Sequence, residues 1–455
     1  MQTVKETFFT KDKTFYRTLF SMMIVVALQN VVTYSVNMVD NIMLGRLSQE
    51  ALSGAATVNQ IFFMVDQFAL SIGNTLVAIA AQYWGQKKLQ PIRTLTGIAL
   101  KLGLIVSAVI IAICAFFPDQ VLRIFTNSPE IIAEGKQYLF IIMWTFALFI
   151  VSNILMAALR AVGTVKIAFY TSVVSLCINA FGNYVLIYGK MGFPQLGIRG
   201  AAISTLIARI AELLIVVIYI AKVDKKLDLF HRDLFKFNRD LKRDYTKVYI
   251  PIMISQVLWG VSVPMQTAIL GHLSADAIAA NSVATTFYQY LKVVVLAMSA
   301  TSAVLIGNAI GRGNMREIKQ EARTISVIDV AVGICLGLLL IALRKPLLSL
   351  YNLDATATDL ALTLIVLMGF IMMTMSYQMP VSFGLIQGGG DAKFTMKMNM
   401  ISTWCIVMPL SFMAAFWWKL PVPLVVLVIQ SDQIFKCLPT FIHFRKYTWM
   451  KKLTR

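Results

Sequence analysis

Twelve long apolar segments run through this chain of 455 residues, and each is long enough to cross a membrane as a helix. The hydrocarbon core of a bilayer is about 30 Å thick, so crossing it takes roughly 20 apolar helical residues. The segments, called spans 1 to 12, are 16–44, 51–83, 94–117, 131–158, 166–189, 196–221, 248–270, 276–310, 322–343, 357–386, 394–418 and 422–442. Only 14% of the residues are charged, whereas soluble domains have about 25%. These features predict an all-α polytopic membrane protein with twelve transmembrane helices and exclude a soluble enzyme.

Positive charge is distributed unevenly along the chain, and its distribution predicts the orientation. There are 41 Lys and Arg against 22 Asp and Glu, an excess that in a soluble protein would suggest a nucleic-acid partner. If the N-terminus lies in the cytoplasm, 29 of these 41 basic residues fall in segments on the cytoplasmic side and 7 in outer loops. This ratio satisfies the positive-inside rule. We therefore expect both termini in the cytoplasm, membrane lipids as neighbours and no nucleic-acid partner.

The two halves of the sequence repeat one another. Leu44–Ala51 reappears as Leu270–Ala277, an offset of 226 residues. The register holds through loops as well as spans and drifts by only one residue to align Leu159–Lys166 with Ile386–Lys393. Each repeat contains six spans, so the halves enter the membrane in the same sense and are predicted to be related by a pseudo-twofold axis along the membrane normal. The predicted domains are a six-helix lobe at 1–221, a basic linker at 222–247 and a six-helix lobe at 248–455. This layout is typical of alternating-access transporters.

Polar residues inside the first repeat form a candidate ion site. Asp40 is predicted about one turn inside the outer end of span 1, and Asn179 and Asn183 are four residues apart on span 5, hence on one helix face. Ser204 and Thr205 reach a similar depth in span 6. One carboxylate with neutral oxygen ligands suits either a Na⁺ ion or a proton carried on Asp40. The alternative is an aspartate that asparagine donors hold for packing alone.

The second repeat lacks a carboxylate at the position equivalent to Asp40, where it has Gln266. Cation coupling is therefore assigned to the N-terminal lobe. Asp66 in span 2 has Lys292 in span 8 as its repeat partner; the two could form a gate latch between lobes, a static ion pair, or two separately solvated cavity charges. The residues proposed to line a substrate cleft are Asn37, Asp66, Gln256, Gln266 and Lys292.

Two further charged pairs are interpreted as structural. Arg209 and Glu212 are three residues apart in span 6, and Asp432 and Lys436 are four apart in span 12. At these spacings the side chains of each pair lie on one helix face and can form a local ion pair.

The residues resemble those of the MATE (multidrug and toxic compound extrusion) transporters over nearly the whole chain. The matching segments are Val39–Gly45, Ala81–Gly85, Leu159–Gly163, Leu186–Gly189, Gly192–Ala202, Gln387–Asp391 and Trp449–Leu453. The resemblance implies efflux of amphipathic, often cationic compounds in exchange for Na⁺ or H⁺. It also implies that Asp40, Asn179, Asn183 and Thr205 match the family's N-lobe cation site.

The chain departs from the family pattern at several positions. The DinF-type branch has a second acid where this chain has Asn183, and NorM-type members have C-lobe acids where this chain has Trp259 and Ser376. The sequence therefore assigns the chain to neither branch. Many relatives carry a proline early in span 1, but here that residue is Val25, so no proline-driven bend of span 1 is expected.

The first functional hypothesis is secondary active efflux of amphipathic or cationic organic compounds by alternating access, coupled to inward Na⁺ or H⁺ through Asp40. The alternative is a flippase of the same superfamily for a lipid-linked or other anionic amphiphile, although only five basic residues lie within spans. A prenyltransferase-like enzyme is not expected, because no paired Asp-rich motifs are present to bind Mg²⁺-diphosphate. We expect a monomer in a bacterial cytoplasmic membrane, with no cofactor other than Na⁺ or H⁺ as coupling ion; Na⁺ would bind at Asp40, Asn179 and Asn183.

Overall fold

The structure is a computed structural model that describes residues 9–273, 275–349 and 355–455. It does not describe the side chains of residues 271 and 275–279. Ser274 of the repeated motif also lies outside the described residues. Within these residues the chain forms helices and no strands. Twelve helices in the described part are long and apolar enough to span a membrane: Lys13–Gly45, Gln49–Gly85, Leu89–Phe116, Trp144–Ala161, Lys166–Tyr188, Ile198–Lys222, Arg239–Leu270, Ala280–Arg312, Met315–Ala342, Ala355–Ile386, Ala392–Trp417 and Val422–Lys446. These helices are spans 1 to 12, and they confirm the all-α membrane fold predicted from the sequence. A helix suits the bilayer because it satisfies every backbone hydrogen bond within one segment.

Span 4 was predicted as one helix over residues 131–158, but the structure divides it into two helices, Pro129–Ile142 and Trp144–Ala161. The Thr145 hydroxyl donates to the Ile142 carbonyl at 2.6 Å, and such back-bonding bends helices. The short helical segments outside the spans are Pro118–Arg123, a 3₁₀ turn at Arg232–Phe235, and Arg344–Leu348. Span 12 is divided into Val422–Gln430, Asp432–Phe435 and Cys437–Lys446. Span 1 is an uninterrupted helix.

Spans 10 and 11 contain π-helical turns, which the apolar pattern does not predict. They lie at Pro380–Ile386, Met400–Val407 and Met413–Trp417. Pro380 has no backbone N–H and its ring crowds the preceding turn, so the helix widens there while remaining continuous. Span 10 also packs closely on span 9, where Gly333 lies against Ser376.

The described chain forms two compact units. The N-terminal unit consists of Leu28–Ala80 and Lys88–Tyr249, and it includes the basic linker at 222–247. The C-terminal unit consists of Ile250–Arg455, Ala81–Lys87 and the described part of Met1–Ala27. One apolar core of the C-terminal unit joins Phe15 and Leu19 of span 1 to residues of spans 8, 9 and 10. The lobe boundaries and the pseudo-twofold axis inferred from the repeat remain predictions.

Within the C-terminal unit, the end of span 2 crosses span 8 through two glycines. A Cβ on Gly85 would overlap the carbonyl oxygen of Asn308, and a Cβ on Gly311 would overlap that of Gln82. The pairs Gln82 and Asn308, and Gly85 and Gly311, are each related by the repeat offset of 226 residues. Equivalent positions of the two repeats therefore touch each other backbone to backbone.

We expect Gly311→Ala to destabilise the protein by about 1–3 kcal/mol, because the new methyl group forces two backbones apart. The measurement is thermal unfolding of the purified protein in detergent. Gly135→Ala is the matched control, since a Cβ at Gly135 meets neighbours no closer than 3.5 Å. The control should be neutral or slightly stabilising, because alanine favours a helix more than glycine does. Equal midpoints for wild type and Gly311→Ala would refute the close crossing.

Candidate cation site

Asp40 is a buried acid near the end of span 1. It lies five residues before Gly45, where the helix ends, and only 8% of it is exposed. Its helix neighbours Met38 and Ile42 are about half exposed, so the carboxyl group occupies the side of span 1 that packs into the N-terminal unit. A buried carboxylate requires partners, because burying an unpaired charge is costly.

Span 5 supplies these partners. Asn179 and Asn183, one turn apart on the same helix, are fully buried. The Asn183 amide nitrogen donates to Asp40 Oδ1 and also to Asn179 Oδ1 at 3.3 Å. The spacing of four residues thus places both amides beside the acid, as the sequence predicted.

Span 6 completes the site. Asn179 Nδ2 donates to Thr205 Oγ1 at 3.1 Å, and Ser204 Oγ donates to the Asn179 carbonyl at 2.8 Å. Gly182 of span 5 permits this approach, because a Cβ there would overlap Ser204 Oγ. The structure therefore connects Asp40, Asn183, Asn179 and Thr205 in one chain of hydrogen bonds across three helices.

One polar atom of the site is left without a partner. Asn183 Oδ1 is buried and accepts no hydrogen bond within the described part of the protein. An unsatisfied buried acceptor is rare and costs about 1–3 kcal/mol. It lies on the side chain that holds Asp40, so a carboxylate and a free amide oxygen are both available to a hard cation, which prefers oxygen ligands.

The charge at this site suits a monovalent ion or a proton. No group of three His, Cys, Asp or Glu side chains that could hold a metal ion occurs among the described residues. One carboxylate supplies a single negative charge, which one monovalent cation or one proton neutralises.

Arg209 is held in place by the predicted local pair. Its guanidinium lies 2.7 Å from the Glu212 carboxylate and stacks 4.9 Å from the ring centroid of Phe149 and 5.7 Å from that of Phe62. The stacking holds a planar cation in the protein interior. The sequence spacing predicted the ion pair but gave no indication of the aromatic rings, which come from spans 2 and 4.

Two tyrosines near the site were not identified from the sequence. The Tyr188 hydroxyl donates to the Met43 carbonyl at 2.8 Å and so ties span 5 to the end of span 1. Tyr138 is 3% exposed and lies near Thr205. Tyr188 follows Asn183 by five residues on the same helix, and this spacing could have indicated that it lies near the site. Tyr138 precedes the break in span 4, and nothing in the sequence indicates its position.

The other charged pair, in the C-terminal unit, is also confirmed. Lys436 Nζ lies 2.6 Å from Asp432 Oδ2, and both residues are buried. Ser402 and Thr403 donate to Asp432 Oδ1 at 2.7 and 3.1 Å. The Asp432 carboxylate is therefore neutralised by the Lys436 ammonium group, whereas the Asp40 carboxyl is bound by the neutral amide of Asn183.

The predicted cleft residues are divided between the two units. Asn37 is exposed and Asp66 half-buried in the N-terminal unit, while Gln256, Gln266 and Lys292 are half-buried in the C-terminal unit. Lys292 Nζ lies 5.2 Å above the ring of Trp259. A shared cleft and a pair between Asp66 and Lys292 remain predictions.

Comparison with known proteins identifies the family. The family model MatE matches the chain twice, at residues 26–185 and 251–413. The segments begin 225 residues apart, close to the repeat offset. A probable multidrug resistance protein NorM from Thermotoga maritima is 24% identical over 439 residues, covering 94% of this chain and 92% of that protein. A probable multidrug resistance protein YoeA from Bacillus subtilis is 23% identical over 458 residues, covering 99% and 98%.

Solved structures agree on the fold. A variant of the Vibrio cholerae MATE transporter VcmN has a TM-score of 0.87 at 18% identity, covering 97% of this chain and 98% of that one. A multidrug resistance MATE family transporter in an outward-facing conformation has a TM-score of 0.85 at 17% identity, covering 96% and 99%. Since the MatE model covers more than half of the sequence, this chain belongs to the MATE family of multi-pass membrane transporters, which are not enzymes.

Proposed function

We propose that the protein exports small amphipathic, often cationic organic compounds by alternating access, and that inward Na⁺ or H⁺ drives export through Asp40. The observation that carries this proposal is the buried Asp40 carboxyl, which accepts a hydrogen bond from the nitrogen of Asn183, a side chain whose oxygen has no partner within the described residues. An ionisable group inside a membrane helix is costly and marks a transport pathway by default. A Na⁺ ion would bind both oxygens, whereas a proton would neutralise Asp40.

The coupling is assigned to the first repeat alone. The residue of the second repeat that is equivalent to Asp40 is Gln266, and its side chain cannot carry a charge. The buried acid of span 12, Asp432, is occupied by Lys436.

The same proposal places the protein in a bacterial cytoplasmic membrane with both termini in the cytoplasm, acting as a monomer. The positive-inside rule supports the orientation, and several relatives are bacterial proteins whose names describe multidrug resistance. A lipid flippase for an anionic headgroup is disfavoured, because five basic residues within twelve spans offer few partners for phosphate.

The test is efflux of ethidium from proteoliposomes that contain the purified protein. Dye loss should accelerate when Na⁺ or H⁺ is higher outside than inside, and collapse of that gradient by an ionophore should abolish the acceleration. The gradient that works identifies the ion. If neither gradient accelerates dye loss, but a fluorescent anionic phospholipid changes leaflets, the flippase is correct and this proposal is wrong.

A further inference from the structure

The basic linker at 222–247 has one buried side and one exposed aromatic side. Leu229 and Leu234 are almost fully buried, whereas Phe230, Phe235 and Phe237 are 46%, 75% and 68% exposed. The alternation along a short segment makes the linker amphipathic. Its leucines pack into the N-terminal unit, and its phenylalanines face away from the protein.

The linker is fixed against the first turns of span 3. Arg93 Nε donates to the Leu227 carbonyl at 2.9 Å, and Thr94 Oγ1 donates to the Asp233 carbonyl at 3.1 Å. Gly97 allows the Leu234 carbonyl to lie against the helix backbone, because any Cβ there would overlap its oxygen. The exposed phenylalanines are therefore presented by a rigid turn.

Span 3 places this turn at the edge of the hydrocarbon. The helix begins at Leu89, so Thr94 and Gly97 lie about 8 and 12 Å along its axis. The apolar segment predicted for this span begins at residue 94. Since Leu234 packs at the level of Gly97, its neighbour Phe235 lies near the predicted start of the apolar segment, where the headgroup boundary is expected.

The linker is basic because it has nine Lys and Arg residues against five Asp residues, and three of these acids bind groups of the protein. Asp224 caps the Leu227 backbone, and the Asp228 and Asp233 carboxylates pair with Arg93 at 3.3 and 3.5 Å. A hydrogen bond from Lys236 holds the pKa of the Asp233 carboxyl below its ordinary value of 3.8, so it stays charged. All nine Lys and Arg residues of the linker are exposed.

We propose that the linker is an interfacial anchor that binds anionic phospholipids: its phenylalanines enter the acyl boundary and its Lys and Arg side chains bind headgroup phosphates. An apolar face combined with basic residues is the combination by which surface segments bind anionic membranes. Each basic residue near such a surface strengthens binding about fivefold, so three together contribute about a hundredfold. The anchor goes beyond the proposed export function and does not depend on it.

The experiment is a thermal-unfolding titration of the full-length protein in neutral detergent with dioleoylphosphatidylglycerol or dioleoylphosphatidylcholine. A lipid that binds the folded state raises the midpoint, and the rise grows with the logarithm of lipid concentration relative to its dissociation constant. We expect a rise with phosphatidylglycerol that exceeds the rise with phosphatidylcholine. The combined variant Lys225→Gln, Lys226→Gln and Arg232→Gln should need at least tenfold more phosphatidylglycerol for the same rise.

The control is the combined variant Arg46→Gln, Arg123→Gln and Lys190→Gln, which removes three exposed charges from the predicted outer loops and should keep the wild-type titration. Phe235→Ser with Phe237→Ser should also weaken the effect, although it keeps every charge. Equal responses to the two lipids, equal losses in the linker and control variants, or the same midpoint rise with inorganic phosphate would each overturn the proposal.

Discussion

Asp40→Asn is expected to abolish gradient-driven efflux and leave the fold intact. Asparagine has almost the same shape, and its Oδ1 can still accept the hydrogen bond from Asn183 Nδ2. It cannot take up a proton, and it cannot neutralise a cation. A charge pair about 4 Å apart is worth about 4 kcal/mol at an effective dielectric constant near 20, or about a thousandfold in affinity. Ethidium efflux should therefore fall to the rate measured without a gradient.

The matched control is Asp66→Asn, the same exchange on span 2 of the same unit. Asp66 is proposed to line the substrate cleft, so its loss should change the dye concentration needed for half-maximal efflux but keep the acceleration by the gradient. Both variants should unfold at nearly the wild-type temperature, which separates coupling from folding. Full gradient-driven efflux by Asp40→Asn would show that the coupling site lies elsewhere.

Much of the fold could be predicted from the sequence because the bilayer constrains it strongly. Span 5 was expected at 166–189 and forms Lys166–Tyr188, since a membrane helix ends where its apolar run ends. The break after Ile142 could not be predicted, because the apolar run continues through it without a proline. The π turns of spans 10 and 11 could not be predicted either, because an apolar run looks the same for α and π turns.

The core of the candidate site was predictable for a related reason. Helical spacing places Asn179 and Asn183 on one face, and the alternation of spans brings Asp40 and Thr205 to the same depth. The rings that stack on Arg209 were not predictable, because Phe62 and Phe149 come from helices whose rotation about their axes the sequence leaves open.

The packing of the C-terminal segment could not be predicted from the sequence either. Trp449 belongs to a motif noted for family resemblance, yet nothing in the sequence indicates where it packs. In the structure it is fully buried, its ring is stacked 5.9 Å from that of Phe444, and its Nε1 donates to the Phe444 carbonyl at 3.0 Å. The ring also fills the space beside Gly389, where a Cβ would overlap it.

This tryptophan fixes a tail that binds span 2 within the C-terminal unit. The Lys451 amide donates to the Gly389 carbonyl at 2.8 Å. Gln82 Nε2 donates to the Lys451 carbonyl at 3.1 Å, and the Leu453 amide donates to Gln82 Oε1 at 2.8 Å. Gln82 is fully buried, so both ends of its amide depend on the tail for hydrogen bonds.

Trp449→Ala is therefore expected to destabilise the protein by about 3–5 kcal/mol, the range for truncating a buried aromatic side chain to alanine. Loss of the ring should also free the tail, which deprives Gln82 of partners and opens the bonds after Lys451 and Lys452 to trypsin. Thermal unfolding and limited proteolysis measure the two effects separately. Trp417→Ala is the control, since Trp417 is 77% exposed and its loss should change stability by less than about 0.5 kcal/mol.

Gly389→Ala tests the same contact from the opposite side, because its methyl group would enter the space that the Trp449 ring fills. Each variant should lower the unfolding temperature and expose the tail to trypsin. The double variant should lose less unfolding free energy than the sum of the two single losses, because both substitutions disrupt the same contact. A tail that stays resistant to trypsin in Trp449→Ala would mean that hydrogen bonds from Gln82 are sufficient to hold it. Strict additivity of the two losses would mean that ring and glycine act independently.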